Sequence, residues 1–185
     1  MEVSSFSKFC DLCQFSEFQG IIFCKNCFRN RTVNAFLYEV DQITNKIFLG
    51  NEEGAKNIEQ LKFRGISHIL ICGVDLIKFY PEEFIYYTIE IEDSPDENIL
   101  KHFSKTLKFI QSAKKIYVHC WAGVSRSASF VIAYLIWQKK ISFEQAFEEV
   151  KLKRNCINPN EGFIKQLNTF YNLLVKNDFK LNKIK

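Results

Sequence analysis

Along the middle of this chain the apolar residues alternate between short continuous runs and helical spacing. "KIFLGN" (46–51) reads as a short strand closed by a Gly/Asn turn, and "EEGAKNIEQLKFRG" (52–65) then sets Ile58, Leu61 and Phe63 at helical spacing until Gly65 stops it. "ISHILIC" (66–72) reads as a buried strand, and "FIYYTIEI" (84–91), rich in aromatic and β-branched residues, as another. In "EDSPDENILKHFSKTLKFIQSA" (92–113) Ser94 is placed to cap a helix, with Pro95 at its first position and Glu97 completing a capping box. Ile99, Leu100, Phe103, Leu107 and Ile110 would then face inward. "KIYVHC" (115–120) predicts a strand and "SRSASFVIAYLIWQKK" (125–140) an apolar helix behind it. "SFEQAFEEVKLKR" opens on a Ser142 and Gln145 capping box, and "NPNEGFIKQLNTFYNLLVK" supplies a last helix with Asn158 as cap and Pro159 following.

Strands alternating with helices predict an α/β fold, a central mostly parallel sheet flanked by helices, with a ligand site beyond the C-terminal strand ends. At 185 residues and 47% hydrophobic content the chain can bury one good core but hardly two. We therefore expect a small N-terminal Cys-rich module (1–34), a main domain (35–176) and a basic tail (177–185). A net charge of +4 is too small and dispersed for nucleic acid, although it would help to attract phosphorylated partners. From Lys151 onward, Lys151, Lys153, Arg154, Lys165, Lys176, Lys180, Lys183 and Lys185 face only Glu161 and Asp178, which reads as a solvated helix face and a frayed tail. No secretion signal and no apolar run approaching the roughly 18 residues of a membrane span are visible, so an intracellular protein, cytoplasmic or nuclear, is expected.

Seven cysteines, an odd number without a secretion signal, fit metal or catalytic thiols better than disulfides. "FCDLC" and "FCKNC" place Cys10, Cys13, Cys24 and Cys27 in two C-x-x-C knuckles, the spacing style of a tetrahedral zinc site. The segment is too short for a core, and a structural zinc would supply the missing stability. Four thiolates leave no open coordination position, so this metal would serve docking of a partner or substrate and not catalysis.

"VHCWAGVSRSAS" (118–129) sets Cys120 at the end of an apolar run, with Gly123 three residues on and Arg126 six residues on. A strand, a short glycine-containing loop and a helix bring backbone N–H groups together beside the helix N-terminus, forming an anion cradle. The cradle and the helix dipole favour negative charge, so the Cys120 thiol is expected to ionise below its ordinary value of about 8.5. The planar fork of Arg126 suits two oxygens of a tetrahedral oxyanion. Displacing an oxygen leaving group then requires a general acid, and Asp93, on a loop after a strand, is placed for it. Asp96 is the competitor, inside the expected first helical turn. Ser127 would donate to the sulfur as it leaves, and His119 would order the loop. Trp121 either walls the pocket or is a packed aromatic. A buried structural thiol would explain neither the glycine nor the arginine.

Here the sequence resembles the cysteine-dependent protein phosphatases, specifically their dual-specificity branch. "HCWAGVSRS" fits the signature H-C-x-x-G-x-x-R-[S/T], and "KIFLGN", "RGISHIL", "IEDSPDENI" and "INPNEGFIKQL" extend the likeness over roughly 40–174. The resemblance implies hydrolysis of phosphotyrosine, and of phosphoserine or phosphothreonine, on proteins through a phosphocysteine intermediate without a catalytic metal. It gives Cys120 as nucleophile, Arg126 as phosphate and transition-state ligand, Asp93 as general acid and Ser127 as the leaving-step hydroxyl. Trp121, Ala122, Gly123, Val124, Ser125 and Arg126 would bind substrate, with Asn160 bracing the loop. Cys72 ends a neighbouring strand; it reads first as a small buried hydrophobe, and second, from the superfamily, as a thiol that traps oxidised Cys120. The connection "SAKKIYV" is shorter than in many relatives. Other phosphate monoesters on the same fold, and a phospho-binding adaptor without turnover, are the alternatives.

Overall fold

The computed structural model describes residues 40–181. The Cys-rich module and its expected zinc ligands lie outside the described residues. Five strands form one sheet in the order β1-β2-β5-β3-β4. β1 (Val40–Gln42) pairs antiparallel with β2 (Ile47–Gly50). β3 (His68–Cys72), β4 (Ile85–Ile89) and β5 (Ile116–His119) run parallel to one another and to β2. The sheet is therefore mostly parallel, as its near-continuous apolar strands require of a sheet covered on both faces.

Strand alternation separates the two faces. Ile47, Leu49, Leu70, Cys72, Ile116 and Val118 pack beneath four helices, α3 (Leu100–Ser112), α4 (Arg126–Lys139), α5 (Phe143–Lys153) and α6 (Glu161–Lys176). Phe48, Ile69, Ile71 and Tyr117 face the other way, under α1 (Glu52–Lys56), α2 (Ile58–Phe63) and the connection that carries Phe84. α4 runs through the centre of the larger layer and is buried continuously from Ser127 to Ile136, which explains its unbroken apolar sequence. Phe103 meets Phe130 at 5.5 Å and Phe170 at 4.7 Å, tying α3, α4 and α6 together. Truncating a ring so placed to alanine costs about 3–5 kcal/mol.

Local chemistry departs from the sequence reading at four points. The helix expected over 52–65 is two: the Asn57 side chain accepts from Gln60 N–H, so it ends α1 and caps α2. The Ser94 capping box does not form. Residues 94–98 make a turn, closed by Glu97 N–H on Ser94 O at 3.1 Å, and α3 begins only at Leu100. Its free N–H groups find a cap from another element: Gln166 Oε1 accepts from Ile99 and Leu100 at 2.8 and 3.0 Å. At α6 the cap is Asn160, whose Oδ1 accepts from Phe163 N–H at 2.9 Å, and not Asn158. Ser142 and Gln145 do form their reciprocal box on α5. Beyond α6, Phe179 packs on Tyr171 and Leu181 is buried in the larger core, so packing continues past Lys176 into the expected tail.

Candidate active site

β5 delivers Cys120 to the C-terminal edge of the sheet, and the chain turns through residues 121–125 into α4. Gly123 makes that turn possible in two ways. Its φ is +69°, a conformation costly for other residues, and a Cβ there would stand 2.3 Å from Gly50 O. The loop's carbonyls are all engaged outward: Trp121 O accepts from Glu52 N–H, Val124 O from Asn158 N–H, and Ser125 O from Ser129 N–H. Ala122 O and Gly123 O accept from Arg154 at 3.3 and 2.8 Å. Because each trans peptide points its N–H opposite its C=O, the loop's N–H groups are turned inward, toward the space above Cys120.

Cys120 is 1% exposed, and its Sγ accepts from Gly123 N–H and from Ser127 Oγ, each at 3.2 Å. Donors aimed at a sulfur stabilise negative charge on it. Arg126, on the first turn of α4, reaches the same space. Gly73, just after β3, makes room for its guanidinium, since a Cβ there would approach Nη1 to 2.6 Å. Nη1 donates to Ile91 O at 3.4 Å, whereas the buried Nε has no hydrogen-bond partner among the described residues. The nearest carboxylate oxygen to it is Asp93 Oδ2, at 3.9 Å.

Asp93 lies opposite, on the loop after β4, its side chain 39% exposed. One carboxylate oxygen, Oδ1, accepts from Ser125 Oγ at 2.7 Å and from Asn160 Nδ2 at 2.9 Å. The other, Oδ2, lies 3.9 Å from Arg126 Nε and has no hydrogen bond among the described residues. The loop is held by close packing: a Cβ on Gly162 of α6 would fall 1.9 Å from Pro95 O. Asp96 points to solvent and its N–H donates to Ser94 Oγ at 3.4 Å, so Asp93 is the acid brought to the cysteine loop.

His119 is fully buried and stacks on Tyr117 with ring centroids 5.4 Å apart. Burial lowers it from 6.5 to about 4, so the ring is neutral at physiological pH. Tyr117 in turn donates to Asn51 O at 2.6 Å, connecting β5 to α1. Cys72 ends β3 beside Cys120, on the same face of the sheet. Burial first, then the neighbouring Cys120, pushes its thiol well up, and only Arg126 opposes this.

Arg154 was expected on a solvated basic face and is instead nearly inaccessible. Besides its two bonds to loop carbonyls it pairs with Asp41 at 2.8 Å, with 3% and 5% of the side chains exposed. Asp41, Gly73, Gly162 and Gln166 are the other site-building residues that sequence reasoning missed. Asp41 stands 113 positions from Arg154, and no local spacing signals such a pair.

Residues 47–173 match the family model described as the dual specificity phosphatase catalytic domain. The Drosophila melanogaster protein phosphatase Slingshot is 40% identical over 150 residues, covering 78% of this chain but 14% of that protein. The chain thus spans only a small part of that relative's length. Among solved structures, the human tyrosine phosphatase-like serine/threonine/tyrosine-interacting protein superposes with a TM-score of 0.70 at 36% identity, covering 75% of this chain and 99% of that one. Human DUSP28 gives 0.70 at 26% identity, covering 74% and 95%.

Proposed function

The chain belongs to the dual specificity phosphatase family, and from that membership we propose that it hydrolyses phosphate monoesters on proteins, phosphotyrosine together with phosphoserine or phosphothreonine. The observation that carries the reading is the arrangement about Cys120: a sulfur receiving two donors, inward-turned N–H groups, an Arg126 Nε with no hydrogen bond among the described residues and a carboxyl opposite.

The phosphoryl group would rest on the loop N–H groups and the Arg126 fork, which also stabilise charge as it develops on the equatorial oxygens. The Cys120 thiolate attacks phosphorus while the bond to the substrate oxygen breaks, and Asp93 gives that oxygen its proton. Because Ser125 and Asn160 occupy Oδ1, Oδ2 is the oxygen that would give the proton. In the second half, Asp93 accepts a proton from water as the water oxygen bonds to phosphorus. The S–P bond breaks, Ser127 steadies the departing thiolate, and inorganic phosphate leaves. Dual specificity phosphatases need no cofactor for this chemistry.

Trp121, Ala122, Val124 and Ser125 are uncharged, which favours a protein over a phosphoinositide among the substrates of this fold. The human relative named phosphatase-like and interacting favours a second reading, a phospho-binding adaptor without turnover. One assay separates them: hydrolysis of a small aryl phosphate by wild type, Cys120→Ser and Asp93→Ala. Vanadate-sensitive, Cys120-dependent turnover is expected; its absence in the wild type would leave the adaptor.

The domain division 1–34, 35–176 and 177–185 remains part of the proposal, as does a structural zinc on Cys10, Cys13, Cys24 and Cys27 that docks a partner. About one equivalent of zinc in purified protein, lost on mutating these cysteines, is expected; zinc unaffected by those mutations would reject it. No helix among the described residues is long and apolar enough to cross a membrane, and a cytoplasmic or nuclear protein is proposed.

A further inference from the structure

Trp121 follows the buried Cys120 directly, yet its side chain is 69% exposed. Its carbonyl is tied to Glu52 N–H at 3.2 Å, so the exposed ring stands on a fixed piece of backbone. Beside it opens a cavity of about 300 Å³, lined by Asn51, Glu52, Glu53, Trp121, Val124 and Cys156 among others. Neither Cys120, Arg126 nor Asp93 lines it, so this is a separate depression on the flank of the loop. A second cavity of about 400 Å³ shares Glu53 as a wall and runs from α1 to Ile58 and Glu59 at the start of α2.

The charges along this groove are unequal. Among the described residues, Glu52, Glu53 and Glu59 face one lysine, Lys56, which lies within ion-pair distance of Glu52 and Glu53. Arg154, which also borders the first cavity, is committed to Asp41 and to two carbonyls, leaving it little capacity to attract an anion. An exposed indole beside a carboxylate-walled space selects a cation with an aliphatic stem, attracted by the ring and by the carboxylates together. Adjacent Cα atoms are 3.8 Å apart and an extended chain advances about 3.3 Å per residue, so the groove lies within a few residues of a phosphoryl group seated on Cys120.

We propose that the groove between Trp121 and α1 receives a lysine or arginine side chain of the phosphoprotein substrate, close in sequence to the phosphorylated residue. This rests on the phosphatase reading above and specifies which phosphoproteins are preferred. Lys56 occupies the same carboxylates when no substrate is present and is displaced by the incoming cation.

The test uses the full chain and phosphotyrosine peptides in which a lysine or a glutamate is walked through the positions on either side of the phosphotyrosine. At one or two positions, kcat/KM for the lysine peptide is expected to exceed that for the glutamate peptide by roughly tenfold, mainly through KM, as exposed ion pairs and cation–π contacts together allow. Glu53→Gln combined with Glu59→Gln should reduce that ratio toward one while aryl phosphate hydrolysis stays at the wild-type rate. Lys56→Ala, which removes the competing cation, should raise it. Equal rates for both peptides at every position, or a preference untouched by the double substitution, would overturn the inference. An enzyme inactive on aryl phosphate would instead remove the phosphatase reading on which it rests.

Discussion

Two arginine–aspartate pairs lie on opposite sides of the cysteine loop. Behind it, Arg154 and Asp41 meet at 2.8 Å with almost no exposure, and Arg154 also donates to two loop carbonyls. In front, Arg126 and Asp93 stand 3.9 Å apart, the aspartate well exposed and the arginine Nε without a hydrogen bond. The same two side-chain types therefore behave differently. A desolvated pair tied to backbone carbonyls holds them in place, and loss of one partner leaves an uncompensated buried charge. A loose, open pair leaves the arginine Nε and the carboxyl Oδ2 without hydrogen bonds among the described residues, which is what a group that must meet a phosphate or transfer a proton requires.

The sharpest way to break this contrast is to remove one acid from each pair. Asp93→Asn is expected to lower turnover of an aryl phosphate by about 10²–10⁴-fold, with the melting temperature nearly unchanged, because exposed pairs contribute little. Equal losses of stability and turnover would erase the distinction. Arg154→Met should cost about 3–5 kcal/mol in denaturant unfolding, and adding Asp41→Leu should recover most of that. Turnover should stay low in the double variant, since Ala122 O and Gly123 O have lost their donor; full recovery of activity would show that the brace is dispensable.

His119 sharpens the buried side. Its ring is held near 4 against an ordinary 6.5, so the folded state resists a proton that the unfolded chain accepts. The associated stability is present above pH 6.5 and is lost as pH falls toward 4. Between pH 7 and 4.5 this amounts to about 2–3 kcal/mol. Unfolding curves of His119→Gln should show a flatter pH dependence over that window, and an unchanged slope would contradict the assignment. The smallest effect is expected in front. Gly162→Ala sets a methyl against Pro95 O and should shift the Asp93 loop, at about 1–3 kcal/mol of stability. Its kcat should fall roughly tenfold, the size expected of a displaced general acid retaining part of its function.

The front of the site was legible in the sequence because its parts are consecutive or lie at strand ends. Cys120, Gly123, Arg126 and Ser127 occupy one loop, and the β-then-turn pattern exposed Asp93. Elements with strong local signals, such as the Ser142 box and the apolar α4, were legible for the same reason. The back was not. Arg154 sits in a run of lysines that reads as a solvated face, and only folding brings Asp41 to it. Ser94, Pro95 and Glu97 carry a helix-start signal, yet Gln166 supplies the cap and Gly162 admits Pro95, so tertiary contacts outweighed local chemistry. Asn158 and Asn160 flank the same proline; reading Pro159 as the first helical residue points to Asn158, whereas Asn160 is the cap and accepts from Phe163 N–H.

The central claim is that phosphate passes through a covalent bond to Cys120. Mixing enzyme with an aryl phosphate, quenching in acid within the first turnover and mapping peptides by mass spectrometry tests it directly. A phosphoryl group on the Cys120 peptide is predicted, accumulating when water attack is slowed in Asp93→Ala with an activated leaving group. Product release from the wild type with no phosphoryl group on Cys120, or turnover that persists in Cys120→Ser, would contradict it.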